Sequence, residues 1–252
     1  EILIVVLGVA IALAATEAVE EWNWRNKVKD AEARLQGDVA WAFLWSAEKA
    51  AGQPCVDAQL AAMARAVIES GETLPPMPVA TVLDLQRVVY MPNRPWRFPV
   101  WGALLADGTA SHFDTQRQAV FGRISDGLVL SRESQSDERR LGGRLLLMRD
   151  AIPLDPGVRT SLLADINNLR SIAAYDALNA RQRMRLIADA GLAPPEAMVE
   201  RFMNASGEQP VGVDFSGIAH FCTLHDLPFA DWREYRKLPA TNILYPNAGV
   251  AK

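Results

Sequence analysis

The sequence predicts a mainly α-helical protein: a single N-terminal transmembrane helix continues into a long helix, followed by an extracytoplasmic helical bundle. An uncharged apolar run opens the chain over residues 2–15. Apolar residues then recur at steps of three and four positions, which is typical of amphipathic helices. Prolines crowd residues 75–99 and forbid a continuous helix there. We therefore expect an irregular proline-rich insert in the bundle, and an irregular C-terminal tail.

The apolar run bears on where the protein works. At about 14 residues it is shorter than the roughly 20 that a helix needs to cross the hydrocarbon core. It therefore also fits the core of a signal peptide or a buried helix of a soluble fold. We favour a membrane anchor, because the run is retained in the chain, and we expect residues before Glu1 to complete the span. The chain then divides into an anchor, residues 1–21, and an α-helical extracytoplasmic domain, residues 22–252.

Four residues in and after the run are candidates for anchoring and helix packing. Trp22 and Trp24 follow the run where an aromatic belt would meet the lipid headgroups. Gly8 and Ala12 lie four positions apart, and small residues at this spacing let a second helix approach closely. The sequence thus predicts contact with the lipid bilayer, and a homo-oligomer is one possible assembly.

The charge of the chain limits its partners. It has 26 Lys and Arg residues against 30 Asp and Glu residues, a net charge of −4, and no basic cluster. Phosphate backbones need a basic face, so nucleic acid is not expected as a partner. The first charges after the run are acidic, namely Glu17, Glu20 and Glu21. The loop-charge rule then favours a cytoplasmic N-terminus and a main domain on the opposite side of the membrane.

The first elements follow from apolar stripes and the residues that interrupt them. Residues 17–51 lack proline and predict one long helix, which the Gly-Gln-Pro sequence at residues 52–54 should end. A second helix is expected over residues 55–70, folded back as an antiparallel hairpin. Residues 79–90 indicate no definite state, and residues 100–106 predict a short helix.

Two further long helices are predicted in the second half of the chain. Ser111 is a candidate N-cap for a helix to about residue 150. Its entirely polar middle, residues 131–140, indicates either solvated helix, which we favour, or a break. Asp155 or Pro156 should start the next helix, which reaches about residue 190 and is capped by Gly191.

The remaining chain predicts shorter pieces. The Pro-Pro pair at residues 194–195 should open a helix that reaches Asn204. The tail predicts short helices over residues 216–223 and 229–235. Its aromatic side chains, such as Phe215, are too apolar to stay in water, so we expect the tail to pack on the bundle.

Two cysteines, Cys55 and Cys222, lie far apart in the sequence. An even number of cysteines in an exported domain favours a disulfide, which would tie the tail to the first long helix. Two separate buried thiols are the alternative. A metal site with His220 and His225 is a weaker one, because the spacing departs from the usual zinc patterns.

One short motif resembles a catalytic one. Ser46-Ala47-Glu48-Lys49 matches the Ser-x-x-Lys motif of penicillin-recognising enzymes. The companion motifs of those enzymes are missing from the sequence, so we interpret the match as chance. No catalytic, cofactor or metal residue is predicted.

The segment from Arg94 to Trp101 alternates arginine with aromatic residues on a proline-rich backbone. Arg94, Trp96, Arg97 and Trp101 form a possible interaction surface, on which a partner or ligand could stack. Alternatively, the same side chains attach this loop to the helices, and we favour that role because Trp usually buries.

The opening Glu-Ile-Leu-Ile-Val-Val-Leu-Gly-Val-Ala-Ile-Ala-Leu, followed by Glu-Glu-Trp-Asn-Trp-Arg and a long charged helix, resembles an uncharacterised bacterial family. Its members share an N-terminal hydrophobic helix, a Trp-Asn pair just after it and an α-helical extracytoplasmic body. The resemblance covers about the first 40 residues. It implies membrane anchorage and a helical architecture, and no chemistry. For the chain as a whole we expect the bacterial inner membrane, with the main domain in the periplasm.

These observations favour a non-enzymatic accessory or scaffold subunit of a larger inner-membrane complex, such as a respiratory or photosynthetic one. Its partners would be the lipid bilayer and other membrane protein subunits. The alternative is an extracytoplasmic sensor or ligand-binding helical bundle. A pocket lined by convergent polar groups would favour that alternative.

Overall fold

The computed structural model describes residues 2–82, 85–204 and 218–237, and it is mainly helical, as predicted. The helices, in chain order, are α1 (Ile2–Glu69), α2 (Pro99–Ala106), α3 (Thr115–Leu145), α4 (Pro156–Asp189), α5 (Glu196–Met203), α6 (Ile218–Leu224) and α7 (Glu234–Lys237). The body is built on the three long helices, since α4 packs against both α1 and α3. The predictions for residues 206–217, including Phe215, lie outside the described residues.

The prediction that the first helix ends at residues 52–54, and with it the helical hairpin, is wrong. Helix α1 runs unbroken for 68 residues with Pro54 inside it. Proline removes one backbone donor and disturbs the carbonyls of the preceding turn. The backbone N–H of Ala230 donates to the carbonyl of Ala51 at 3.0 Å. The carbonyl that loses its helical donor at Pro54 is that of Ala50, so the tail adds a hydrogen bond one residue further along and does not replace the lost one.

The tail docks closely on the same turn of α1. A Cβ atom built on Gly52 would lie 2.7 Å from Ile218 Cγ2, so only glycine allows this approach. One turn further along the axis, Cys55 forms the predicted disulfide with Cys222. In the chain-entropy model, a bridge across 167 residues contributes about 5 kcal/mol to stability. Glycine, proline and cysteine at this turn thus form the docking point of the tail.

The first third of α1 projects from the body. Side chains of residues 6–23 are exposed, and the large apolar ones Val6, Leu7, Val9, Ile11 and Leu13 each keep 55–62% of their surface. The first side chain that docks is Trp24, which stacks on His112 with ring centroids 3.6 Å apart. Within the described residues, no helix is both long enough and apolar enough to cross a bilayer.

Helix α3 starts later than predicted and is continuous. Asp114, not Ser111, is its N-cap, and the Asp114 carboxylate accepts from the backbone N–H of Arg117 at 2.8 Å. The favoured alternative of continuous helix over the polar residues 131–140 is confirmed. The prediction that these residues are solvated is wrong in part, because Ser131, Gln135 and Glu138 are buried.

The predicted boundaries of the following helices are confirmed. Asp155 caps α4 by accepting from the backbone N–H of Val158 at 2.8 Å. Gly191 follows the helix with φ +70°, the left-handed conformation that favours glycine. Pro195 is the N-cap residue of α5.

The proline-rich insert contains short antiparallel strands. Strand β1 (Thr73–Leu74) pairs with β4 (Ile152–Pro153), and β2 (Ala80–Val82) pairs with β3 (Leu85–Arg87). Within residues 79–90, for which no definite state was predicted, the two strands β2 and β3 thus form an antiparallel pair. A loop over residues 88–98 follows strand β3 and places Trp96 in the core.

The core has two apolar clusters along the bundle. The first includes Phe43, Trp45, Phe121 and Ile124, and the second includes Leu60, Leu145, Ile166 and the disulfide. On α3 the first cluster ends at Leu128 and the second begins at Leu141. Buried polar side chains occupy the layer between them.

Candidate functional site

The layer between the two apolar clusters is a continuous network of buried polar side chains. Helices α1, α3 and α4 and the loop before α2 all contribute to it. We call this set the polar layer; its members are Glu48, Lys49, Arg94, Trp96, Ser131, Gln135, Glu138, Asp176 and Arg183. Its three cations and three carboxylates balance in formal charge, as charged groups removed from water require.

Lys49 lies at the centre of the polar layer. Its ammonium donates to Glu138 Oε1 at 2.5 Å and forms an ion pair with Asp176 Oδ2 at 3.1 Å. Hydrogen-bond geometry is met only toward Glu138, since Asp176 Oδ2 is without a hydrogen bond in the described structure. One buried lysine therefore links α1 to both α3 and α4.

A second group of contacts extends along α4. The Ser131 hydroxyl donates to Asp176 Oδ1 at 2.8 Å and accepts from Arg183 Nη2 at 2.7 Å. The Arg183 guanidinium also lies over the ring of Trp96, 5.1 Å from its centroid. A single hydroxyl thus connects a buried anion to a buried cation.

The third group fixes the loop before α2. Arg94 donates through Nε and Nη2 to the two oxygens of Glu48, both at 2.6 Å. Gln135 pairs with the backbone of Arg94 in both directions, at 2.7 and 3.0 Å, and its Oε1 also accepts from Trp96 Nε1 at 3.0 Å. Because this pairing is bidentate and reciprocal, it sets the register of the loop on α1 and α3.

Burial shifts the pKa values of the charged groups. Burial alone would lower the pKa of Lys49, but the attraction of Glu138 and Asp176 outweighs it and raises that pKa, so the ammonium stays charged. Burial raises the pKa of Glu138, and Lys49 offsets only part of that effect. Burial also lowers the pKa of Arg183 to about 10.

A cleft of about 240 Å³ reaches the polar layer from the surface. Glu138 and Gln135 contribute to its floor, and Asn93 and Arg139 add polar groups. The rest of its wall is largely apolar, with Val89, Met91, Pro92 and Leu146 among its members. The cleft therefore offers hydrogen-bonding groups from two elements beside an apolar surface.

The serine and lysine of the Ser-x-x-Lys match have structural contacts. The Ser46 hydroxyl donates to the carbonyl of Ala42 at 2.6 Å, within its own helix. Lys49 is held as an ammonium between two carboxylates and cannot act as the base that such a nucleophile needs. The two side chains thus contribute to the core, in agreement with a chance match.

The cysteines and histidines do not form the metal site that was the weaker alternative to a disulfide. Both sulfurs are bonded to each other, so neither is available as a thiolate ligand. His225 packs on the ring of Phe221, 4.4 Å between centroids. Within the described ranges, no group of three His, Cys, Asp or Glu side chains is arranged to hold a metal ion.

The possible interaction surface is largely inside the fold. Trp96 and Trp101 are buried, and Arg94 is bound to Glu48. Arg97 alone among the four is exposed. The segment therefore has the packing role, as favoured from the sequence, and does not form a surface.

The anchor candidates lie at the projecting end of α1. Gly8 and Ala12 are exposed, and no atom lies within 4 Å of a Cβ built on Gly8. Trp22 is exposed, whereas Trp24 stacks on His112 and has Lys27 over its ring at 4.7 Å. Only one of the two tryptophans is thus free to meet lipid.

Sequence reasoning missed the polar layer, although a signal was present. Ser131, Gln135 and Glu138 are spaced four and three positions apart. This spacing continues the apolar stripe of α3 from Leu128 to Leu141 without a change of phase. Polar residues at the core positions of a continuous stripe indicate a buried network.

Comparisons with known proteins identify no relative: no protein-family model, curated protein or solved structure matches the chain. The resemblance to an uncharacterised bacterial family therefore stays a prediction.

Proposed function

We propose that this protein is a membrane-anchored, non-enzymatic accessory or scaffold subunit of a larger bacterial inner-membrane complex, with its helical body in the periplasm. One observation is the main support for this proposal. The start of α1 projects from the body, and its large apolar side chains keep more than half of their surface exposed.

The distribution of these side chains favours lipid over a single partner helix. Successive residues of an α-helix are turned by about 100°, so Leu7, Val9, Ile11 and Leu13 point in different directions around the axis. A partner helix needs one apolar stripe, whereas lipid needs an apolar surface on all sides. The exposed fractions of these four residues, 55–62%, are nearly equal around the axis.

The body has the properties of a rigid support. The polar layer connects three helices and a loop, and the disulfide fixes the tail to α1. Since α1 is one continuous helix, the projecting end and the packed core form a single rod. Such a body would hold an attached partner at a fixed position relative to the bilayer.

Membrane attachment is tested by fractionating cells that express the full chain and washing the membranes with carbonate. We expect the wild type to stay in the pellet and the double variant Val9→Asp/Leu13→Asp to be released, because each buried charge costs about 3 kcal/mol near the bilayer centre. The double variant Ala33→Asp/Gln36→Asp adds the same charges at exposed sites of the body and serves as control. Retention of the first variant would contradict lipid anchoring.

The subunit role is tested by purifying the full chain from detergent-solubilised native membranes. We expect other membrane proteins to co-purify in a complex larger than the chain. Recovery of monomer alone would contradict the role of an accessory subunit while leaving membrane attachment intact.

A second candidate function is a ligand-binding bundle, favoured by the cleft above Glu138 and Gln135. Gly142 lines this cleft, and no atom lies within 4 Å of a Cβ built there, so Gly142→Leu places an apolar side chain in the cleft and leaves the residues of the polar layer unchanged. Native mass spectrometry of the purified chain would show a bound small molecule in the wild type and none in this variant. A wild type without any bound molecule would argue against this candidate.

A further inference from the structure

A second surface groove, distinct from the cleft above Glu138, lies between α3 and α4 and has a volume of about 490 Å³. Its lining includes three arginines, Arg123, Arg183 and Arg185, against two aspartates, Asp126 and Asp189. These five side chains have a formal charge of +1, although the chain as a whole is acidic. The groove is therefore a local site of positive charge.

Three nitrogen donors in the wall of this groove lack acceptors. They are Asn179 Nδ2, Arg183 Nε and Arg185 Nη1, and each is buried without a hydrogen bond in the described structure. Buried donors in folded proteins almost always have partners, because a buried donor without an acceptor destabilises the fold. Three such donors on one wall indicate a missing acceptor.

Arg183 is the most constrained of the three. Its side chain is 3% exposed, and its Nη atoms donate to the carbonyl of Gly127 and to the Ser131 hydroxyl. No carboxylate forms a salt bridge with it in the described chain, and its link to Asp176 passes through Ser131. A buried guanidinium without a direct counter-ion is costly, so an anion bound beside Nε would stabilise it.

We propose that this groove binds a small monocarboxylic acid with an apolar chain, whose carboxylate accepts hydrogen bonds from Arg183, Arg185 and Asn179. A planar carboxylate matches the planar donors of a guanidinium. A single negative charge neutralises the net charge of +1, whereas a doubly charged phosphate would leave one negative charge uncompensated beside Asp126 and Asp189. Leu130 and Leu186 line the groove and would contact the apolar chain.

Isothermal titration calorimetry of the full chain with hexanoate tests the site. We expect hexanamide, which has the same chain but no charge, to bind at least about tenfold more weakly, because charged hydrogen bonds are the stronger ones. Inorganic phosphate should also bind more weakly. Equal affinity for hexanoate and hexanamide, or no binding of hexanoate, would overturn the proposal.

A matched pair of glycine variants locates the site. A Cβ on Gly127 would lie 3.9 Å from Arg183 Nε, so Gly127→Leu fills the groove without removing the charge. Gly122, on the same helix, has open space and lies outside the groove, so Gly122→Leu is the control. We expect at least about tenfold weaker hexanoate binding in the first variant and less than about a twofold change in the second. Equal affinities in the two variants would place hexanoate elsewhere.

An arginine variant and a peptide ligand test the assignment further. Arg185 is partly exposed, so Arg185→Gln should fold and weaken binding about tenfold even if Gly127→Leu fails to fold. Unchanged binding in Arg185→Gln would contradict the assigned donors.

If acetyl-alanyl-leucine binds at least tenfold more tightly than hexanoate, the groove takes a peptide C-terminus and the small-acid assignment is wrong. Since none of these measurements depends on the bilayer, they leave the proposed membrane role untouched.

Discussion

The two ends of α1 reverse the usual relation between composition and burial. Its first residues, up to about residue 16, are uncharged and apolar apart from a threonine, yet residues 6–23 are exposed to solvent. Its later part contains Glu48 and Lys49, yet both lie in the core with at most 5% of their surface exposed. A charged pair is thus buried, and an apolar run is not, on one continuous helix.

The difference lies in what each end contacts. The buried charges meet opposite charges on α3, α4 and the loop before α2, so their burial is compensated. The large apolar side chains of the first end stay exposed, and an exposed apolar surface of this extent indicates a lipid or protein contact. Burial on α1 is therefore decided by the available partner rather than by the side chain alone.

The largest effect is expected where the buried charge loses its compensation. Lys49→Met keeps the side-chain volume but leaves Glu138 and Asp176 buried without a cation. We expect a loss of about 3 to 5 kcal/mol in the free energy of unfolding, measured with urea near neutral pH. Lys29→Met, an exposed position on the same helix, should change stability by less than about 0.5 kcal/mol. Similar losses in both variants would contradict the structural role of Lys49.

Truncation of one apolar residue from each end compares the two regions directly. Leu35 is buried in the first apolar cluster, and Leu35→Ala should cost about 2 to 5 kcal/mol. Ile11 keeps 62% of its surface, and Ile11→Ala should stay within about 0.5 kcal/mol in detergent. A large loss at Ile11, measured by the same unfolding experiment, would show that the projecting end packs on the protein after all.

A smaller effect is expected at the docking point of the tail. Gly52→Ala places a Cβ against Ile218 and should cost about 1 to 3 kcal/mol, even though alanine favours the helix. Gly37→Ala, where no atom lies within 4 Å, should instead stabilise the helix by about 0.5 to 1 kcal/mol. Opposite signs in thermal unfolding would support the docked tail, whereas stabilisation by both substitutions would contradict it.

Part of this fold could be predicted from the sequence. Local signals predicted the starts of α4 and α5, the cap at Gly191 and the disulfide, because each depends on residues close to one point or on cysteine chemistry. The continuation of α1 through Pro54 was not predictable, because the tail residues that pack on this turn, Ile218 and Ala230, are far away in sequence.

The polar layer was predictable only in part. The spacing of Ser131, Gln135 and Glu138 indicates their burial, because it keeps the phase of the core stripe on α3. Their partners were not predictable: Lys49 lies 89 positions away from Glu138, and Arg94 lies 41 positions away from Gln135. Which buried charges meet depends on how the three helices pack, and no local pattern contains that information.

The smallest effect concerns the pH dependence of the polar layer. Burial raises the pKa of Glu138 above its usual 4.5, so the native state keeps a proton that the unfolded chain releases first. Wild-type stability should therefore fall relative to Glu138→Gln as the pH rises above 4.5, by at most about 1.4 kcal/mol per pH unit. Urea unfolding at several pH values measures this difference, with Glu133→Gln as the control for loss of an exposed charge on α3. If the wild type instead gains stability over the variant with rising pH, the attraction of Lys49 exceeds the cost of burial, and the polar layer holds Glu138 as a carboxylate throughout.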